Sequence, residues 1–314
     1  MKTRRFGNTD LVVSEFGLGC ARIGGIFQRG SADFIDLLVA ARDAGITFFD
    51  TADIYSQGES EALIGRAFRG RRHEIVIASK AGYCLPARRK LAARVKPLLR
   101  PIIQRLGIRR DRLPQAARGS LTQDFSPGYL RRAVEGSLRR LRTDYLDLLQ
   151  LHSPPVEVVE RSEWLGELEA LKRAGKLRYF GVSCDSAEAA IAALRHPTVS
   201  ALQMTVNLLE KRNAEALLPI TRERNVAVIA RECLANGLLV KPESEIDLKK
   251  HCPTTEEETR YRHELAMFRE QAGREGSSLA KFALKYVSTL DGVSIALVGV
   301  SNRRQLTGIL RETP

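Results

Sequence analysis

Hydrophobic positions along this chain follow two alternating periods. Short apolar runs, rich in Val, Ile, Leu and Phe, read as buried strands at 16–19, 46–50, 75–80, 145–151, 178–183, 200–204, 226–231 and 293–298. Between them lie stretches with a helical repeat, at 31–44, 58–69, 127–141, 162–174, 186–195, 213–224, 262–289 and 302–310. Ser31 is the expected cap of the first. A long segment, 232–262, leads into the helical sequence at 262–289, and residues 3–14 read as a hairpin turning at Gly7-Asn8-Thr9-Asp10 that caps the barrel floor. Strands that are apolar throughout must be covered by helices on their faces. Eight strand–helix steps in 314 residues argue for one (β/α)8 barrel domain over residues 1–314, not two domains.

Polar residues close three of these strands. Asp50 follows Ile46-Thr47-Phe48-Phe49, Lys80 follows Ile75-Val76-Ile77-Ala78-Ser79, and His152 follows Leu146-Asp147-Leu148-Leu149-Gln150-Leu151. Tyr55 stands in the loop beyond Asp50, within Thr51-Ala52-Asp53-Ile54-Tyr55-Ser56-Gln57-Gly58-Glu59-Ser60-Glu61. The carboxyl ends of parallel barrel strands share one rim, where such folds keep their chemistry. Taken singly, each residue has a plain explanation: a helix-leading cap, a rim tyrosine, a solvated lysine, a satisfied histidine before Pro154-Pro155. The four together, on one rim, point to a site.

These pieces resemble the aldo-keto reductases, in that family's order and over nearly the whole chain. The matching residues are Phe16-Gly17-Leu18-Gly19, the Asp50 to Tyr55 run, Ser79-Lys80, Leu138-Arg139-Arg140-Leu141 with Asp144-Tyr145-Leu146-Asp147, and Leu151-His152. Gly181-Val182-Ser183, Gln203 with Asn207, Leu234-Ala235-Asn236-Gly237-Leu238-Leu239 and Gly299-Val300-Ser301 complete the series. The resemblance implies a reductase that moves hydride between NADP(H) and an aldehyde or ketone, or acts in reverse on a sugar-like alcohol. It also implies Tyr55 as general acid, Lys80 and Asp50 as the pair that tunes it, and His152 as a donor that orients the carbonyl. A free tyrosine, with a pKa of about 10, is a poor acid at neutral pH. A neighbouring ammonium is expected to bring that value down. A second donor stabilises the charge that builds on the carbonyl oxygen.

Gly17-Leu18-Gly19-Cys20-Ala21-Arg22 is not the G-x-G-x-x-G of a doubly wound dinucleotide site. A barrel binds phosphate instead with loops after its last strands. Gly299-Val300-Ser301-Asn302-Arg303-Arg304-Gln305 places a glycine, hydroxyl and amide groups, a helix start and two guanidiniums there. By resemblance this loop holds the 2′-phosphate of NADP(H), Ser183 and Gln203 hold the nicotinamide carboxamide, and Leu234 and Gly237 belong to the cofactor site. Three departures stand out. Cys184 replaces the usual asparagine, Arg231 replaces a tyrosine that stacks on the nicotinamide, and Glu232-Cys233 replaces Ser-Pro. A guanidinium can also stack, and its charge favours the reduced ring. An ion pair of Arg231 with Glu232 or Asp50 is the plain alternative.

Charge is concentrated in one place. Between Cys84 and Arg118 stand eleven cations and one anion, a net +10 against +13 for the whole chain. Within the segment, an insertion of about 84–122 after the third strand, Leu91, Val95, Leu98, Leu99, Ile102 and Leu106 recur with helical spacing. Pro97 and Pro101 divide it into two expected short helices over the barrel mouth. Three readings stay open: a solvated lid, steering of an anionic substrate, or attachment to a membrane surface or nucleic acid. Few aromatics accompany the arginines, which weighs against the last, and no nucleic-acid partner is expected. A regulatory subunit that binds NADP(H) and docks a partner through this segment is the alternative to an enzyme. Phe27, Tyr83 and Cys84 are the expected walls of a substrate pocket.

Composition adds bounds. No apolar run is long enough to span a bilayer, and the basic start, Met1-Lys2-Thr3-Arg4-Arg5, has no apolar stretch behind it to read as a secretory signal. Five scattered cysteines form no C-x-x-C, so free thiols, a cytoplasmic protein and no metal are expected.

Overall fold

A computed structural model describes residues 1–24, 30–84 and 121–313. Eight parallel strands close a barrel in the order β3 (Phe16–Gly19), β4 (Phe48–Asp50), β5 (Val76–Ala81), β8 (Leu146–His152), β9 (Leu177–Ser183), β10 (Ala201–Thr205), β11 (Ala227–Arg231) and β12 (Val293–Gly299), which returns to β3. Helices cover the outside: α1 (Ser31–Asp43), α2 (Glu59–Ala67), α3 (Pro127–Leu141), α4 (Val156–Arg161), α5 (Leu165–Arg173), α6 (Ala187–Leu194), α7 (Arg212–Glu223), α8 (Thr255–Arg274), α9 (Leu279–Thr289) and α10 (Arg303–Glu312). The main core lies between this layer and the strands, where Phe49, Leu149, Phe180, Val182 and Val228 meet Leu37, Ile64, Leu130, Trp164 and Leu284.

The hairpin pairs β1 (Thr3–Arg5) with β2 (Val12–Ser14) in antiparallel register. Its Phe6, Leu11 and Val13 pack with Phe48, Leu148, Ile229 and Ile295, closing the barrel floor. Gly7 turns the hairpin at φ +55°, and a Cβ there would stand 2.6 Å from the Ala227 nitrogen, so the turn needs glycine for both conformation and space.

Three boundaries differ from the sequence pattern for local reasons. Helix α1 starts at Ser31 with Gly30 as its cap residue, so Ser31 is not the cap. The expected helix at 162–174 spans only Leu165–Arg173 (α5), and Ser162 in a left-handed conformation (φ +59°) sets it off from the short α4 that precedes it. The 262–289 stretch divides. Thr254 caps α8 by accepting from the Glu257 nitrogen, Gly276 (φ +62°) follows its end, and Ser278 caps α9. The loop after β11 packs Leu238, Leu239 and Leu248 on Leu265 and Phe268 of α8, a small core of its own.

Tyr83–Cys84 (β6) and Thr122–Gln123 (β7) form an antiparallel pair just beyond the carboxyl end of β5. The basic segment leaves and re-enters the fold through this pair. Its two expected helices, and Phe27, lie outside the described residues.

Candidate active site

The parallel register brings the polar strand ends to one rim. Asp50 lies beside Gly19 and Ala78, Lys80 beside Gln150, and His152 beside Ser183. Lys80 and Asp50 are 1% and 4% exposed, and Lys80 Nζ donates to Asp50 Oδ2 at 2.5 Å and to the Thr51 carbonyl at 3.0 Å. Tyr55 opens a tight turn, Tyr55–Gly58, in which Ser56 and Gln57 have positive φ. Ser56 Oγ fastens the turn by donating to the Ile23 carbonyl at 2.9 Å. The Lys80 ammonium lies 5.2 Å from the Tyr55 ring centre. His152 meets Tyr55 edge-on at 5.8 Å and Tyr83 at 4.8 Å, so the four residues expected to converge do so, with Tyr83 as a fifth member.

Burial sets the protonation states. His152 loses its hydration, and Lys80 and Arg231 repel a second charge, which lowers its pKa to about 3 and keeps the imidazole neutral. Burial works against the charge on Lys80, but Asp50 and the Tyr55 oxygen outweigh it and raise its pKa above the ordinary value. Tyr55 differs from expectation. Lys80 lowers its pKa as anticipated, yet desolvation of the phenolate is the larger effect, and the phenol sits above its ordinary value. The hydroxyl therefore keeps its proton at neutral pH.

Asp50 Oδ1 faces the other way. It accepts from Gln203 Nε2 at 2.8 Å and from Gln150 Nε2 at 3.3 Å, while Gln203 Oε1 accepts from Ser183 Oγ at 3.2 Å. Arg231 pairs with Asp185 at 2.6 Å and Glu232 at 2.7 Å rather than with Asp50. Its Nη2 also donates to the Cys184 carbonyl at 3.4 Å, and its buried Nε has no hydrogen-bond partner among the described residues. The buried Cys184 thiol is pushed up to about 12, chiefly by desolvation, so it stays protonated.

A cavity of about 730 Å³ opens over this rim. Asp50, Tyr55, Gln203, Arg231, Leu234 and Gly237 line its inner part, and Gly299 and Gln305 lie further along it. Lys241 and Arg269 add two cations to the wall, and Arg269 Nη2 is buried without a hydrogen-bond partner among the described residues. Ser301, Arg303 and Arg304 are not among the wall residues. Ser301 donates through its nitrogen and Oγ to Gln305 Oε1, at 2.8 and 2.9 Å. Arg303 and Arg304 are exposed on the first turn of α10, which Asn302 caps. Tyr83 and Cys84 form β6, beside His152 and near the Tyr129 hydroxyl respectively.

A family model for the aldo/keto reductase family matches residues 15–313. The chain belongs to that family. Among its relatives, the oxidoreductase YqkF of Bacillus subtilis is 32% identical over 241 residues, covering 77% of this chain and 67% of the relative. The aldo-keto reductase yakc of Schizosaccharomyces pombe, whose name carries NADP(+), is 29% identical over 278 residues, covering 83% of this chain and 71% of the relative. The holo form of aldo-keto reductase AKR11C1 from Bacillus halodurans superposes with a TM-score of 0.78 at 28% identity, over 99% of this chain and 90% of that one. This protein is thus an oxidoreductase of a family that uses NAD(P)H.

Several residues of the candidate site escaped the sequence reading. Gln150 stands two positions before His152 on β8, so the period of two that puts one inward marks the other too. Asp53 is half-buried near Glu61 and the Tyr129 hydroxyl with a desolvated carboxyl, and nothing in its loop sequence signals that desolvation. Asp185, which holds Arg231, follows Cys184 directly.

Proposed function

We propose that this single-domain barrel reduces an aldehyde or ketone at the expense of NADPH, with Tyr55 as the proton donor. The observation that carries the reading is the buried Lys80–Asp50 pair at 2.5 Å, set beside a protonated tyrosine and a neutral histidine. The donor set fits the cofactor. Ser183 and Gln203 offer an amide and a hydroxyl to a carboxamide, and Arg231 presents a planar guanidinium on the cavity wall. Lys241, Arg269, Arg303 and Arg304 supply cations for phosphates around a cavity of suitable size. When bound, NADPH supplies the hydride.

The protein's own groups handle the rest. The neutral His152 has one N–H to donate to the substrate oxygen, and it adds no charge to a site that already holds Lys80. Tyr55 passes its hydroxyl proton to that oxygen as negative charge develops there. The tyrosinate left behind lies beside the Lys80 ammonium, which Asp50 holds in place. Arg303 and Arg304, at the start of α10, are the groups that tell a 2′-phosphate from a hydroxyl.

Substrate class follows from charge. The segment anchored by β6 and β7 carries most of the chain's +13, and its roots stand beside Tyr83 and His152. Carbonyl compounds bearing a carboxylate or phosphate are therefore the expected substrates, with a preference that fades as salt rises. Among the described residues no helix is long and apolar enough to cross a membrane.

Tyr55→Phe tests the reading. Turnover should fall by about 10³-fold or more, while NADPH binding, followed by fluorescence, stays within about twofold because the phenyl ring is retained. Full activity in that variant would remove Tyr55 as the acid.

A further inference from the structure

Two buried glutamines hold the oxygen of Asp50 that Lys80 leaves free, and they differ at their other ends. Gln203 has a second partner, Ser183, and both belong to the polar group read above as the carboxamide site. Gln150 has none: its Oε1 is buried without a hydrogen-bond partner among the described residues. It is fully buried on β8, in register with Lys80 and on the same strand face as His152. A methionine or leucine there would spare the fold an idle buried acceptor, so the amide breaks a local rule of core construction at the centre of the site.

We propose that Gln150 is a positioning residue, which holds Asp50 Oδ1 and so shares the carboxylate's charge between an amide and Lys80. The inference rests on the reading of Tyr55 as the acid. A ligand amide that engages Ser183 and Gln203 competes for the Gln203 side chain, whereas Gln150 has no other claim and stays on Asp50. Without Gln150, more of the carboxylate's charge falls on Lys80. The ammonium's net field at Tyr55 weakens, and the phenol loses its proton at higher pH. The charged and titratable groups facing Tyr55 are Asp50 on β4, Lys80 on β5, His152 on β8 and Arg231 on β11. Replacing Gln150 removes none of them.

The test reads Tyr55 directly. Ring-labelled tyrosine is followed by carbon NMR against pH in the parent, Gln150→Met and Gln150→Glu proteins, with Tyr55→Phe identifying the signal. The pH profile of kcat is measured in parallel. Gln150→Met should move the Tyr55 midpoint upward by about half a pH unit or more, and Gln150→Glu further, because it sets a second carboxylate beside Asp50. Should one variant fail to fold, the other carries the test, since both move the midpoint the same way. A glutamine that serves only packing would lower kcat by one factor at every pH and leave the midpoint in place, and that result overturns the inference. A fixed midpoint with an inactive Tyr55→Phe sinks Gln150 alone, whereas an active Tyr55→Phe sinks the acid assignment.

Discussion

At the end of the cavity proposed as catalytic the charged pair and its amide partners are carried by strands and buried, whereas beyond the other end two arginines stand exposed on the first turn of a helix. Asp50, Lys80, Gln150 and Gln203 have fixed partners within 3.3 Å of one another. Arg303 and Arg304 are open to water and salt. The difference matches two tasks. A reacting centre gains from groups already aimed before the substrate arrives, because no reorganisation is left to pay for during the reaction. A recognition end needs only charge of the right sign at the right distance, and water can surround it until a ligand arrives.

The largest effect that should separate the two ends is that of Lys80→Met. It leaves Asp50 buried without its cation, a class of change that costs about 3–5 kcal/mol of stability. Turnover should drop by about 10²- to 10⁴-fold through loss of the ammonium beside Tyr55. Calorimetry and steady-state rates would check both, and a variant as stable and active as the parent would show that burial does not make this pair matter.

Next in size is the outer end. Changing Arg303 and Arg304 together to Ala should weaken NADPH binding by about 10- to 100-fold, as expected for lost charge-assisted bonds to phosphate. Binding of NADH and the melting temperature should barely move, because both side chains are exposed. The NADPH affinity of the parent should also fall with salt more steeply than that of the double variant. Equal losses for the two nucleotides would assign 2′-phosphate recognition elsewhere, with Lys241 and Arg269 of the cavity wall as the next candidates.

A third effect, confined to stability, sharpens the contrast within one loop. Asp53 stands three residues from Asp50, yet among the described residues no cation bonds to it directly. Burial first, and then the charge of Glu61, raise its pKa to about 7, despite the opposing charge of Arg140. The Tyr129 hydroxyl lies 3.3 Å from Asp53 Oδ2 and 2.8 Å from the Tyr83 carbonyl, and its single proton cannot serve both acceptors. A proton on Asp53 relieves that conflict. Because the folded state holds this proton more tightly than the unfolded chain, Asp53 makes stability fall as pH rises from about 4 to about 7. Asp53→Asn should remove about 2–4 kcal/mol of that slope, so it gains on the parent at pH 8 relative to pH 5. Denaturant melts at the two pH values would show it, and parallel changes in both proteins would exclude Asp53 as the group responsible.

Much of this was legible in the chain. Alternating apolar runs and amphipathic stretches gave all eight barrel strands and most helices, because burial on both faces imposes a pattern that neighbours in sequence already carry. Asp50, Lys80 and His152 could be placed together because each ends a strand, and parallel strands end on one rim. Less local features were hidden. The break at Ser162 depends on one residue's left-handed backbone, and Ser31 yields the cap position to Gly30. The pairing of Tyr83–Cys84 with Thr122–Gln123 joins chain segments far apart in sequence.

The sequence by itself determined the barrel, the family and the identity of four residues that meet at its mouth, since all three depend on order and spacing. Only the tertiary structure decided their electrical states. Tyr55 looked like a phenol activated by Lys80, and burial instead leaves it holding its proton more tightly than free tyrosine. Arg231 was open to pairing with Asp50, and the loops gave it Asp185 and Glu232. Gln150 looked like one polar residue in an apolar strand until its amide was seen on Asp50. Desolvation and partner choice depend on what surrounds a group in three dimensions, and a linear pattern does not record those surroundings.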